Sequence, residues 1–202
     1  MIKEVTDIKN VAELLSNGKI GIFPFDTIWG ITGIISDEVA NKIHLIKKRD
    51  EKKPFLIVIP NEAYLKNYIT NIPEKYHNFI KSCWPGPVTL IFNKNKNVSK
   101  IITGGLSTIG VRYPAFPVLN ELLNSLKQGL ISTSLNISME NHVNTIKNIN
   151  PEILEKVDFI YKIEKPPNSA PSTIVDCTDS SPKISREGVN IMFIKNYIKN
   201  HF

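Results

Sequence analysis

Cysteine is nearly absent from the sequence: Cys83 and Cys177 are its only two, so no disulfide framework holds the fold. A chain of 202 residues can bury a core without such staples. Zinc is not signalled either, because His44, His77, His142 and His201 are not spaced as ligands. Long hydrophobic runs are missing as well. The densest, residues 55–59, is far shorter than the roughly 20 residues a membrane helix needs. Residues 1–10 carry four charges before any apolar run, which predicts a cytoplasmic protein with no membrane partner.

The usual nucleotide signatures are also lacking. There is no G-x-x-x-x-G-K-[ST] phosphate loop and no G-x-G-x-x-G turn between a strand and a helix, so a nucleotide site would have to be built differently. No serine or cysteine has a recognisable base beside it, which leaves covalent nucleophilic catalysis unsupported. Paired carboxylates are scarce too, although Asp26 near Thr27 and Asp176 near Thr173 stand at predicted strand ends. Binding and electrostatics are therefore expected to do the chemistry. Repeats, low-complexity tracts and clear linkers are absent. The proline-rich stretch 165–171 reads as a loop over the site.

What is present is ordinary globular composition, 42% apolar and 22% charged, consistent with one domain over residues 1–202. The 25 Lys and Arg exceed the 19 Asp and Glu by six charges, which favours polyanions such as nucleotides or RNA. The same abundance of Lys, Asn and Ile also arises from an A- and T-rich genome, so charge alone assigns nothing.

Periodicity supplies the elements. Ile8, Val11, Ala12 and Leu15 predict a helix capped by Asp7 and ended by Gly18. Residues 19–23 read as a strand stopped by Pro24, followed by a loop over 24–33. Val39, Ala40, Ile43 and Ile46 mark a second helix running into Lys47, Lys48 and Arg49. Strand 55–59 follows, then a helix from Pro73 broken at Pro85 and Gly86. Strand 88–92, a surface loop over 93–100, strand 109–113, a helix through Leu119, Leu122, Leu123 and Leu126 ending at Gly129, and strand 130–134 come next. A short helix near 151–157, strands near 158–163, 172–176 and 183–185, and a C-terminal helix from about Asn190 complete the pattern. This alternation predicts an α/β fold: a twisted mixed sheet flanked by helices, with its ligand crevice beyond the strand ends.

Several polar residues admit two readings. Lys47 and Arg49, with Lys53, supply charge suited to a triphosphate; equally, cations at a helix C-terminus suit its dipole and sit in water. On the view that they are exposed, their replacement would affect ATP use far more than stability. Arg112 interrupts the apolar run of Ile109, Val111 and Tyr113, so it either clamps a carboxylate or faces water from an edge strand. Ser132, Thr133, Ser134, Asn136 and Ser138 can hold phosphate or base, but such residues also make turns and caps. Ser169, Ser172 and Thr173 share that ambiguity.

In order along the chain, these segments resemble the YrdC-like family, represented by the threonylcarbamoyl-AMP synthases. Pro24-Phe25-Asp26-Thr27-Ile28-Trp29-Gly30 is similar to the family's Pro-Thr-Asp-Thr-Val-Tyr-Gly loop. Lys47-Lys48-Arg49 before Lys53-Pro54-Phe55 resembles its Lys-x-Arg and Pro-Leu strand start. Trp84-Pro85-Gly86-Pro87-Val88-Thr89 resembles Pro-Gly-Pro-x-Thr, and Ile109-Gly110-Val111-Arg112-Tyr113-Pro114 resembles Val-Gly-Val-Arg-x-Pro. Ser134-Leu135-Asn136-Ile137-Ser138, Pro171-Ser172-Thr173-Ile174-Val175-Asp176 and Arg186-Glu187-Gly188 continue the series. Each motif is short; their shared order carries the resemblance.

The resemblance implies a nucleotidyltransferase with a concave, positively charged site. Its substrates would be L-threonine, bicarbonate and ATP, and its products threonylcarbamoyl-AMP and pyrophosphate. Downstream machinery would move the threonylcarbamoyl group to an adenosine beside a tRNA anticodon. Thr27, Lys53, Arg112, Ser134 and Ser172 would serve the amino-acid side. Lys47, Arg49, Thr108, Asn136, Asn144 and Arg186 would hold ATP, with Lys47 and Arg49 acting on the transferring phosphate. Mg²⁺ would travel with the nucleotide rather than in a protein cage. Phe25, Trp29 and Met139 depart from the family's threonine, tyrosine and glycine, which bears on amino-acid specificity. Two other readings remain: an RNA-binding module, for which interleaved aromatics are missing, and a carbamoyl-transfer domain, whose accompanying segments are not visible.

Overall fold

The computed structural model describes residues 3–135, 148–162 and 170–202. Its strands are β1 (Lys3–Val5), β2 (Gly21–Pro24), β3 (Trp29–Ile34), β4 (Leu56–Val58), β5 (Val88–Asn93), β6 (Thr108–Arg112), β7 (Leu130–Ser134), β8 (Phe159–Tyr161), β9 (Thr173–Asp176) and β10 (Lys183–Arg186). The helices are α1 (Ile8–Ser16), α2 (Asp37–Lys47), α3 (His77–Cys83), α4 (Lys100–Thr103), α5 (Pro117–Leu126), α6 (Pro151–Leu154) and α7 (Ile191–His201). All ten strands join one mixed sheet in the order β1-β8-β2-β3-β7-β4-β6-β5-β9-β10.

Local chemistry explains the elements that position the site. Asp7 caps α1, accepting from the backbone N–H groups of Lys9 and Asn10, and Ser36 caps α2 through Val39. Lys48 ends α2 in the left-handed region at φ 48°, a place glycine usually takes. That turn lets the Arg49 N–H reach back to the His44 carbonyl at 3.0 Å, so Lys47 and Arg49 leave the helix in different directions. The segment expected to be a loop after Pro24 contains β3, which pairs antiparallel with β2 from Pro24↔Trp29 to Gly21↔Thr32. Its two glycines disguise it as a turn. The short, charged β1 was also not evident from periodicity, nor was α4, which begins at Lys100, the last residue of the expected surface loop.

Alternation along the strands gives the sheet two unlike faces. One carries Ile22, Ile31, Ile57, Leu90, Val111, Ile131 and Val175 into the larger core, under residues of α2, α3 and α7. The other carries Phe23, Val58, Leu130, Phe159 and Tyr161 against the buried sides of α1 and α5. Further along this second face the strands present Leu56, Gly110, Ile91 and Ile174, all only partly buried. There the sheet is open. This differs from a crevice beyond the strand ends: the opening lies on the sheet face, because α1 and α5 cover only its β1-to-β4 part.

Gly21 shows how closely the covered part is packed. A Cβ there would lie 2.1 Å from the Phe159 ring, and that ring is fully buried. Gly21→Ala is expected to cost about 1–3 kcal/mol of stability through overpacking. Urea unfolding would measure it, and an unchanged midpoint would contradict the tight contact.

Candidate active site

A cleft of about 300 Å³ occupies the open part of the sheet face. Its floor is a row of cross-strand neighbours. Ser132 pairs with Leu56 and Leu56 with Gly110, while Ile174 pairs with Thr89 on β5. Arg112 follows Gly110 by two residues on β6 and so points to the same side. Strands lie about 4.8 Å apart, so the five steps from β3 to β9 span roughly 24 Å. The walls come from the β2–β3 turn (Phe25, Thr27, Ile28), the stretch after α2 (Arg49, Lys53, Pro54), and Pro171, Ser172 and Arg186.

Among the described residues, four cationic side chains line this cleft, Arg49, Lys53, Arg112 and Arg186, and no carboxylate does. Arg49 is tethered through Nη1 to the Thr133 hydroxyl and through Nη2 to the Pro54 carbonyl at 2.7 Å, with its guanidinium 5.5 Å from the Phe55 ring centroid. Arg186 donates from Nε and Nη2 to the Ser172 carbonyl at 3.1 and 2.9 Å, and from Nη2 to the Ser172 hydroxyl at 2.9 Å. Ser172 Oγ lies 2.8 Å from the Thr89 hydroxyl. Burial, then the nearby Arg112 charge, lowers the Arg186 pKa.

Arg112 belongs to a central strand, not an edge. Its Nη2 lies 3.3 Å from Asp26 Oδ1, with both side chains 3% exposed, and its guanidinium lies 5.8 Å from the Phe25 ring centroid. Asp26 Oδ2 accepts from the Ala115 N–H at 3.3 Å. Burial pulls the Arg112 pKa down and Asp26 opposes that pull.

Lys47 does not line the cleft but reaches a residue that does. Its Nζ donates to the Ser134 carbonyl oxygen and lies 3.4 Å from the Ser134 hydroxyl. The expectation that Lys47 and Arg49 stand in water is corrected here. Lys47 is 2% exposed and Arg49 is half-buried and twice bonded, so replacing either also disturbs packing.

Of the other expected site residues, Thr27 (2% exposed), Lys53, Ser134 and Ser172 line the cleft. Thr108 shares the sheet face with Arg112 but starts β6, four residues or about 13 Å away, and is not among the lining residues. Asn136 and Asn144 lie outside the described residues, as do Ser138, Met139 and Ser169. Sequence reasoning did not single out Leu56, Ile174 or the Thr89 hydroxyl as lining residues, nor Asp26 as the partner of Arg112. The alternation of Thr108, Gly110 and Arg112 with apolar Ile109 and Val111 was the available signal of a strand open on one face. Among the described residues no group of three or more His, Cys, Asp or Glu could hold a metal ion, so these residues offer Mg²⁺ no cage of their own.

Burial, then the charges of Arg49 and Lys53, lowers the Lys47 pKa from 10.5 to about 7. Between those values the unfolded chain binds the Lys47 proton more readily than the folded one, so stability rises with pH there. Below about 7 both states hold the proton and the destabilisation is complete. Urea midpoints of the ligand-free protein should climb from pH 7 towards pH 9 by this contribution, which Lys47→Met should remove. Parallel pH curves for the two proteins would contradict it.

Comparison with known proteins now adds to this geometry. A family model named for Sua5, YciO and YrdC, and described as telomere recombination, matches residues 13–188. A threonylcarbamoyl-AMP synthase of Pyrococcus abyssi is 30% identical over 182 residues, which are 90% of this chain and 54% of that protein. The chain thus spans about half of that relative. A threonylcarbamoyl-AMP synthase of Pseudoalteromonas translucida is 29% identical over 80% of this chain and 88% of its own length. The crystal structure of Pyrococcus abyssi Sua5 complexed with L-threonine superposes with a TM-score of 0.91 at 25% identity, covering 100% of this chain and 62% of that one. Escherichia coli YciO, at 23% identity and a TM-score of 0.81, shares the fold over 94% of this chain and 95% of its own. With the model spanning most of its length, the chain belongs to the Sua5/YciO/YrdC family.

Proposed function

We propose that this protein is an L-threonylcarbamoyladenylate synthase. The threonine amine is carboxylated by bicarbonate with loss of water. A carbamate oxygen then attacks the α-phosphorus of ATP, a P–O bond forms, and the bond to the leaving pyrophosphate breaks. The observation that carries this reading is one cleft in which, among the described residues, four cations stand without a lining carboxylate beside the hydroxyls of Thr27, Thr89, Ser134 and Ser172. Relatives named threonylcarbamoyl-AMP synthase and a threonine-bound family structure support it.

In this reading Arg49 and Lys53 hold the polyphosphate, and Lys47 approaches it through Ser134. Negative charge grows on the leaving pyrophosphate, and fixed cations stabilise it without reorganising. Arg112 takes the threonine carboxylate, a group matched to a guanidinium fork, while Thr27, Ser134 and Ser172 orient the rest of the amino acid. Arg186 closes the rim on the nucleotide side; for Asn136 and Asn144, outside the described residues, the nucleotide role rests on the family resemblance alone. Thr108 meets the nucleotide only where it extends along β6. Mg²⁺ arriving with the nucleotide would supply charge neutralisation. The product is a mixed anhydride for a tRNA-modifying partner, with the protein acting in the cytoplasm.

Incubation with ATP, Mg²⁺, bicarbonate and L-threonine should release pyrophosphate only when both threonine and bicarbonate are present. Absence of threonine-dependent release, with tight RNA binding, would overturn the reading. Support by carbamoyl phosphate alone would point to carbamoyl transfer. Arg49→Ala is expected to lower kcat/KM for ATP on the order of 10²-fold. Thr27→Val should instead raise KM for threonine about tenfold by removing one hydroxyl.

A further inference from the structure

The cations lining the cleft are not equivalent. Arg49 rests on neutral oxygens of Thr133 and Pro54, and Arg186 on neutral oxygens of Ser172. Among the described residues, Arg112 alone of the four is ion-paired to a carboxylate, that of Asp26. Asp26 is tied on its other oxygen to Ala115, so it cannot swing away without breaking a second contact. Arg112 is not exhausted by the pair: its Nε is buried and has no hydrogen-bond partner, leaving a donor for an incoming acceptor.

Charge sets what that acceptor can be. A paired Arg112 and Asp26 sum to zero, so a guest carboxylate meets the guanidinium with one negative charge close behind it. A polyphosphate would bring several negative charges against the same buried Asp26, where repulsion is poorly screened. Arg49 and Lys53 impose no such penalty.

We propose that Asp26 is a specificity-determining residue: its ion pair reserves Arg112 for the singly charged carboxylate of the amino acid and keeps the nucleotide's polyphosphate off that part of the cleft. The inference rests on the proposed function for the identity of the two ligands. It adds a reason why two anionic substrates sharing one cationic cleft do not exchange places.

The test is calorimetric competition between inorganic tripolyphosphate and L-threonine on the whole chain, which needs no turnover. In the wild type, tripolyphosphate should compete with ATP and leave threonine affinity within about twofold. In Asp26→Asn, which keeps the shape but loses the charge, tripolyphosphate should also displace threonine, while threonine alone should bind no more weakly than to the wild type. An unchanged competition pattern in Asp26→Asn would overturn the proposal. Asp26→Glu retains the charge and serves where the Asn variant does not fold. It should bind threonine more weakly by displacing the guanidinium, yet still exclude tripolyphosphate from the threonine site; competition there would sink the idea equally. Pyrophosphate release is measured alongside. If the wild type binds both ligands separately but releases none with threonine, the proposed reaction fails while the charge partition stands.

Discussion

Helix width sets where this protein can bind anything. An α-helix with its side chains is about 10–12 Å across and strands are about 4.8 Å apart, so two helices side by side span about four or five inter-strand gaps and cover five or six strands. The sheet has ten. On one face α1 and α5 bury the strands from β1 to β4, and beyond them the same face is left to small, polar and half-buried side chains. The opposite face is closed by residues of α2, α3 and α7 over the larger core. A sheet sealed on one side and half sealed on the other yields one broad, rigid floor.

The polar groups at the border of the covered part follow from that geometry. Val58 on β4 is buried against the small core, and its partner across the ladder is Arg112. A cation at this border must be paired or strongly hydrogen-bonded, because removing one member of a buried pair leaves an uncompensated charge at a cost of roughly 3–5 kcal/mol. Asp26 meets that need from the β2–β3 turn. Lys47 faces a related constraint from the other face: buried at the end of α2 beside two cations, it rests on the Ser134 carbonyl oxygen at the end of β7.

Most of this architecture was legible in the sequence, for a physical reason. Helical periodicity at Ile8, Val11 and Leu15 or at Val39, Ile43 and Ile46 reports burial of one stripe, and each stripe is buried. The site was legible as a set of segments but not as a surface. Lys47-Lys48-Arg49 reads as a solvated helix end because its decisive feature, a left-handed Lys48, is carried by a residue that does not announce it. Trp29–Ile34 reads as a turn because two of its six residues are glycine. The pairing of Asp26 with Arg112 joins residues 86 positions apart, and no local pattern encodes such a contact.

Phe25 links the departures from the family pattern to the electrostatics. Its ring faces the Arg112 guanidinium and is 2% exposed, and its edge lies 2.7 Å from where a Cβ on Gly30 would stand, with the Thr133 carbonyl oxygen at 2.9 Å. Residue 30 therefore has to be glycine while residue 25 is aromatic. A smaller, hydroxyl-bearing residue at 25 would remove the ring contact but not the Thr133 carbonyl oxygen, and it would place a dipole beside the ion pair. The phenylalanine instead surrounds the guanidinium with apolar surface, which lowers the local dielectric and strengthens both its attraction to Asp26 and any repulsion Asp26 exerts on a second anion. Loss of a hydroxyl at this position thus sharpens the charge discrimination of the cleft even as it removes a hydrogen-bonding group.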